Sequence, residues 1–135
     1  MALSIALPAV AVLALAAWLT PAPSGLGTHR QLGELPACGW IAVADLPCPT
    51  CGMTTAFAHA ANGNLIASFL AQPLGCLLAI CVAMTLLGSV YVCITGSRLE
   101  RALAPLCGRR MAWAVSTLVV AAWLYKIVSY KGWIG

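Results

Sequence analysis

The sequence predicts an all-α integral membrane protein, and its composition and the length of its apolar segments are the observations that predict it. Of its 135 residues, 62% are hydrophobic and 7% are charged, whereas an ordinary soluble domain carries roughly 25% charged residues. Disorder requires low hydrophobicity and high charge, so a disordered chain is excluded. The net charge of +4 comes from scattered cations, which argues against nucleic-acid binding. Lipid is therefore the expected surrounding of a single membrane domain, residues 1–135.

Three stretches are apolar over the roughly 20 residues that a helix needs to cross the hydrocarbon core. They are residues 2–19, 74–95 and 112–130, and they predict three transmembrane helices. The third stretch holds Lys126 near its end, where the long side chain is expected to extend to the membrane interface. We expect the first stretch to be a retained helix, because its start has no Lys or Arg of the kind that opens a signal peptide.

The distribution of Lys and Arg in the loops predicts the orientation. The loop between the first two spans, residues 20–73, holds one of these cations, Arg30. The loop between the second and third spans holds four: Arg98, Arg101, Arg109 and Arg110. The amino terminus is therefore expected in the cytoplasm of a bacterial cell, with residues 20–73 on the outer side of the inner membrane.

The long first loop is expected to contain two short apolar helices separated by the turn Asn62-Gly63-Asn64. Asn64 is placed to cap the second of them, over residues 65–71, and Pro73 fits the first turn of the following span. Neither short helix is long enough to cross a bilayer. We therefore expect them to lie at the interface or to dip into the membrane against the spans.

A stripe of small residues runs along the second span. Gly75, Ala79 and Ala83 recur every four residues and let another helix approach closely. That helix belongs either to this chain or to another membrane protein.

The chemically distinctive stretch is Cys48-Pro49-Thr50-Cys51-Gly52. In one interpretation, Cys48 caps a helix whose first residue is Pro49, and the helix end stabilises a Cys48 thiolate. Cys51 would then close a disulfide with it, as in thiol–disulfide oxidoreductases, although no strand pattern here predicts a thioredoxin sheet. In a second interpretation, Gly52 supplies the left-handed turn of a metal knuckle.

A closed zinc or iron site of this kind needs four ligands, and the knuckle supplies two. Cys38 is the candidate third ligand and His59 the candidate fourth. Helical spacing, however, places His59 about 12 Å from Cys51 along the axis, too far for one ion, so His29 or a partner chain is the alternative. A third interpretation is a structural disulfide from Cys38 to Cys48 or Cys51, which agrees with an outer loop.

Three motifs in this region resemble those of a known family. They are C-P-x-C-G-x-T at Cys48–Thr54, the turn Gly63-Asn64, and Pro73-Leu74 before a long apolar span. The pattern resembles the bacterial membrane protein family catalogued as domain of unknown function 2752, which implies a membrane architecture and no established activity. Two positions depart from the family pattern, because Thr55 stands in place of an arginine and Gln72 in place of an asparagine.

The sequence favours a non-catalytic role, as a membrane scaffold or accessory subunit whose cysteine loop is held by a disulfide or a metal. The first alternative is a membrane thiol–disulfide oxidoreductase, with Cys48 as nucleophile and Cys51 as resolving thiol. The second alternative is a zinc- or iron-binding membrane protein. The residues expected to shape the motif are Pro49, Gly52, Thr54, Gly63, Asn64 and Pro73.

Overall fold

The structure, a computed structural model, describes residues 2–33, 39–96 and 109–132, and all regular structure within them is helical. Cys38, Arg98 and Arg101 lie outside these residues. The described helices, in chain order, are α1 (Ala2–Trp18), a 3-10 helix (Thr28–Leu32), α2 (Gly39–Ala44), α3 (Met53–Ala61), α4 (Leu65–Ala71), α5 (Pro73–Thr95) and α6 (Arg109–Tyr130).

Two of these helices are long and apolar enough to cross a membrane. They are α5, over its whole length, and α6 over Met111–Tyr130. Both leave large apolar side chains such as Leu87 and Trp113 exposed, a surface that suits contact with lipid. The first predicted span forms the helix α1, but its 17 residues make it shorter than the other two.

Local sequence signals set the ends of several helices. Pro73 occupies the first turn of α5, where its missing N–H costs little, and Gly96 ends this helix in the left-handed conformation. The helix α4 covers the predicted residues, and the Asn64 side chain accepts a hydrogen bond of 3.1 Å from the Ala67 N–H at its start. Gly63, with φ of 80°, makes the turn between α3 and α4.

The short helix α3 is packed inside the chain, where it contacts α1, α4, α5 and the 3-10 helix. Ala56 and Ala58 on this helix are fully buried. The neighbouring α4 differs, because Ile66 on its outer face is 77% exposed. Of the two short helices expected in the first loop, one is therefore enclosed by the chain and the other lies at its surface.

The small-residue stripe of α5 is used at least partly within the chain. A Cβ placed on Gly75 would lie 2.8 Å from the Cβ of Ala56 and 3.3 Å from the Cα of Met53. Ala79 is also buried. At Gly75 the close approach is therefore that of α3 to α5, which brings the start of α3 next to the start of α5.

This approach predicts a defined cost for adding one methyl group. We expect Gly75→Ala to lower the free energy of unfolding by about 1–3 kcal/mol through overpacking against Ala56, less a gain in helix propensity of about 1 kcal/mol. The double variant Gly75→Ala/Ala56→Gly should recover much of the loss, because it removes the Ala56 methyl group with which the new Cβ would clash. Unfolding in detergent micelles, followed by tryptophan fluorescence, measures both. Strict additivity of the two substitutions would contradict the contact.

Candidate functional site

The cysteine motif forms a turn that precedes a helix. The Cys51 N–H donates to the Cys48 carbonyl oxygen at 3.0 Å, and Gly52 follows with φ of 87° at the N-cap of α3. The interpretation in which Cys48 caps a helix that starts at Pro49 is wrong, because α3 begins at Met53. The left-handed glycine is the backbone feature on which the knuckle interpretation depends.

The turn brings the two thiol groups together. The Sγ atoms of Cys48 and Cys51 lie 3.0 Å apart, which is longer than the bond of about 2.05 Å in a disulfide. The Cys51 Sγ also accepts a hydrogen bond of 3.3 Å from the Cys48 N–H. Cys48 is half-buried and its Sγ lies 3.2 Å from the Thr50 hydroxyl, whereas Cys51 is buried. Cys48 is therefore the more exposed member of the pair.

Gly52 is enclosed by the backbone of two other segments. A Cβ at this position would lie 2.7 Å from the Gly25 carbonyl oxygen and 3.3 Å from that of Ala71. It would also lie 3.0 Å from the Nζ of Lys126. The positive φ and this close approach both require a glycine.

Lys126 of α6 is a part of the site that the sequence does not predict. Its side chain is only 6% exposed, and its Nζ donates to the carbonyl oxygens of Ala71 at 2.8 Å and Gly25 at 3.4 Å. The Lys126 side chain therefore points into the chain, whereas the sequence predicted that it extends to the membrane interface. A lone cation in an apolar span is the sequence signal that could have pointed to this residue.

Other side chains near the end of α6 also dock on the first loop. The Trp123 indole N–H donates to the Pro47 carbonyl oxygen at 3.0 Å. The ring centroids of Trp123 and Trp40 lie 6.2 Å apart in an edge-to-face arrangement. The Tyr125 hydroxyl donates to the Leu70 carbonyl oxygen at 3.2 Å. The carboxy-terminal third of α6 is thus attached to α2, α4 and the segment that leads into the cysteine turn.

The two positions that depart from the family pattern are both buried. The Gln72 amide Nε2 donates to the Pro49 carbonyl oxygen at 2.9 Å, which ties the start of α5 to the turn. Its Oε1 is buried without a hydrogen-bond partner among the described residues. The Thr55 hydroxyl lies 2.7 Å from that of Thr28, and this pair joins α3 to the 3-10 helix.

A cleft of about 580 Å³ opens beside the thiols. The cysteine turn forms one part of its wall, together with Thr54. The loop after α1 and the 3-10 helix form another part, through Gly27, His29 and Arg30. The remaining lining residues are Ser24, Leu26 and Ile41.

The predicted metal ligands are not brought together within the described part of the chain. His59 lies on α3, eight residues beyond Cys51, and the described residues contain no group of three or more His, Cys, Asp or Glu able to hold a metal ion. Cys38 lies outside the described residues. The metal site and the structural disulfide predicted for Cys38 therefore also fall outside them.

Comparison with known proteins finds a family model that matches part of the chain. Residues 36–86 match the family model described as Protein of unknown function (DUF2752). Comparisons with curated proteins and with solved structures find no match. The matched segment runs from before α2 into the first part of α5 and contains the cysteine turn. The resemblance predicted from the motif is therefore confirmed over residues 36–86, the part of the chain that is similar to the DUF2752 family.

Proposed function

We propose that this protein is a small three-span membrane protein that carries out thiol–disulfide exchange with Cys48 and Cys51. The observation that carries the proposal is the separation of 3.0 Å between the two Sγ atoms. Both cysteines line the cleft of about 580 Å³, where Cys48 is half-buried and Cys51 is buried. This is the arrangement that a nucleophilic thiol and a resolving thiol require.

The order and direction of the helices support three spans. The first loop joins the end of α1 to the start of α5, and α6 returns to that loop through Trp123 and Lys126. Those three helix ends therefore lie on the side of the cysteine turn, as in an antiparallel succession of spans. The 17 residues of α1 lie at the lower end of the range that crosses a bilayer.

The charge distribution supports an outer location for the cysteine turn. The chain between α5 and α6 contains Arg98 and Arg101, and α6 begins with Arg109. Loops rich in arginine stay in the cytoplasm, so the opposite ends of α5 and α6 face outward. Disulfides form and persist on that side of the inner membrane.

The exchange follows the ordinary chemistry of a dithiol. The Cys48 thiolate attacks one sulfur of a substrate disulfide, and the other substrate sulfur leaves as a thiolate. Cys51 then loses its proton and attacks the Cys48 Sγ, so the second substrate thiolate leaves and a Cys48–Cys51 disulfide forms. Two electrons pass to the substrate, and two protons convert its thiolates to thiols. The Thr50 hydroxyl, 3.2 Å from the Cys48 Sγ, donates a hydrogen bond to the attacking thiolate.

The proximity of Cys48 and Cys51 supports a redox pair better than it supports a scaffold held by a disulfide. The stabilisation that a disulfide supplies grows with the length of the loop it closes. A bond between Cys48 and Cys51 closes a loop of only a few residues, which the backbone hydrogen bond from Cys51 to Cys48 already closes. We therefore infer a redox role for the pair.

Metal binding is the second candidate function. The left-handed Gly52 and the hydrogen bond from the Cys48 N–H to the Cys51 Sγ favour it, because metal knuckles use both features. A tetrahedral ion held by these two thiolates would need two further ligands from outside the described residues. Cys38 or a partner chain would supply them.

Redox trapping of the protein in detergent micelles tests the exchange. Samples are equilibrated in thiol–disulfide buffers of graded potential, quenched with acid and alkylated, and the peptides that carry Cys48 and Cys51 are analysed by mass spectrometry. We expect the pair to pass reversibly between dithiol and disulfide. Cys51→Ala should accumulate mixed disulfides on Cys48, and Cys48→Ala should lose the exchange. Cys81→Ala, which removes an exposed thiol of α5, is the matched control and should behave like the unsubstituted protein.

Two results would contradict the exchange. A Cys48–Cys51 bond that stays oxidised at every potential would support the scaffold function. Zinc or iron present in nearly stoichiometric amount, and lost in Cys48→Ala, would support the metal site.

A further inference from the structure

The described residues that line the cleft carry charge of one sign. Arg30 lines the same cleft as Cys48, and the neighbouring His29 adds an imidazole. No acidic side chain is present among the described residues that line it. An anionic group is therefore favoured close to the accessible thiol.

The backbone that carries Arg30 is attached to the elements on either side of the cleft. The Thr28 hydroxyl accepts from the Ala22 N–H at 3.0 Å and contacts the Thr55 hydroxyl of α3 at 2.7 Å. The Gln31 side chain accepts from the Thr20 N–H at 3.1 Å, just after α1. The cysteine turn leads directly into α3, so the cation and the thiols are held by one connected set of contacts. Hydrogen bonds within the chain thus hold the backbone on both sides of the cleft.

We propose that this cleft binds small disulfide compounds that carry a carboxylate, with Arg30 as the residue that selects them. The inference rests on the proposed thiol–disulfide exchange and names its substrate class. A guanidinium pairs with a carboxylate through two parallel hydrogen bonds. The volume of about 580 Å³ is that of a small-molecule site, and Leu26 and Ile41 supply an apolar wall for the rest of the compound.

Two chromogenic disulfides, one dianionic and one neutral, test the selection. Dithiobis(nitrobenzoate) carries two carboxylates, and dithiodipyridine is neutral. In the first half of the exchange, either reagent forms a mixed disulfide with Cys48 and releases one coloured thiol. The Cys51→Ala protein in detergent micelles stops the reaction at that stage. Its rate is measured by absorbance and assigned to Cys48 by mass spectrometry of the labelled peptide.

We expect Arg30→Gln to slow the reaction of Cys48 with the dianionic reagent about fivefold, because one nearby cation is lost. The rate with the neutral reagent should not change. Arg30→Lys keeps the charge but not the two parallel hydrogen bonds, so its rate with the dianionic reagent should lie between those of the unsubstituted protein and Arg30→Gln. Arg109→Gln, which removes an exposed cation at the start of α6, is the control of equal charge and should change neither rate.

The selection by Arg30 is overturned if Arg30→Gln leaves the dianionic rate unchanged, or slows both reagents equally. It is also overturned if Arg109→Gln reproduces the effect, because the whole charge of the protein would then be responsible. Failure of Cys48 to react with either reagent would instead overturn the proposed exchange, and this inference with it.

Discussion

Replacement of Gly52 by alanine is expected to destabilise this protein by about 3 kcal/mol or more. The left-handed conformation costs an alanine about 1–2 kcal/mol. The larger part of the loss is steric, because the new Cβ would lie 2.7 Å from the Gly25 carbonyl oxygen, which is a backbone atom. The turn must therefore move away from the loop after α1, and the cleft beside Cys48 changes with it. Unfolding in detergent micelles, followed by tryptophan fluorescence, measures the loss.

Gly63→Ala is the matched control for this prediction. Gly63 has φ of 80°, close to that of Gly52, but a Cβ there would meet nothing within 4 Å. Its replacement should cost only the backbone strain, about 1–2 kcal/mol, and leave the reactivity of Cys48 unchanged. If the two variants lose the same stability, the enclosure of Gly52 by Gly25 and Ala71 is wrong.

Replacement of Lys126 by methionine is expected to lower the free energy of unfolding by about 2–3 kcal/mol, because a buried charged donor is lost. Methionine is unbranched like lysine and one atom shorter, so it keeps an apolar stem of similar length. It leaves the carbonyl oxygens of Ala71 and Gly25 without the donor that they share. The end of α6 should then loosen from the first loop, and amide hydrogen exchange around Ala71 should become faster.

Lys131→Met is the control for the loss of a lysine. Its side chain is 44% exposed and lies 4.0 Å from an exposed Asp45 carboxylate oxygen, so its removal should cost less than about 1 kcal/mol. An effect of Lys126→Met as small as that of Lys131→Met would show that the buried ammonium does not hold α6 to the loop.

Helix positions were the part of the fold that local sequence predicted best. The start of α4 after Asn64 follows from the cap that an asparagine side chain makes for a helix N-terminus, and the start of α5 follows from Pro73. The burial of α3 was not evident, because its alanines and threonines suit an interface as well as a core. What buries it is Gly75, more than twenty residues after Met53, since only a glycine there lets α5 approach so closely.

The candidate site was likewise predicted only in part from the local sequence. The motif identified Cys48 and Cys51 and the family, because their spacing is local and its chemistry is specific. It did not decide between a helix cap and a turn, since Pro49 and Gly52 are compatible with both. The start of α3 at Met53 decides it. Arg30 and Lys126 are 18 and 78 residues from Cys48 in the chain, so no spacing connects them to it.

The amino-acid order on its own determined the apolar character of the long helices, their approximate limits and the paired thiols, since each depends on neighbours in the chain. Only the tertiary structure decided what surrounds the thiols. It turned the Lys126 ammonium inward to two carbonyl oxygens and placed Arg30 in the same cleft as Cys48. The physical reason is that hydrogen bonding and charge act over a few ångströms of space, regardless of the distance along the chain.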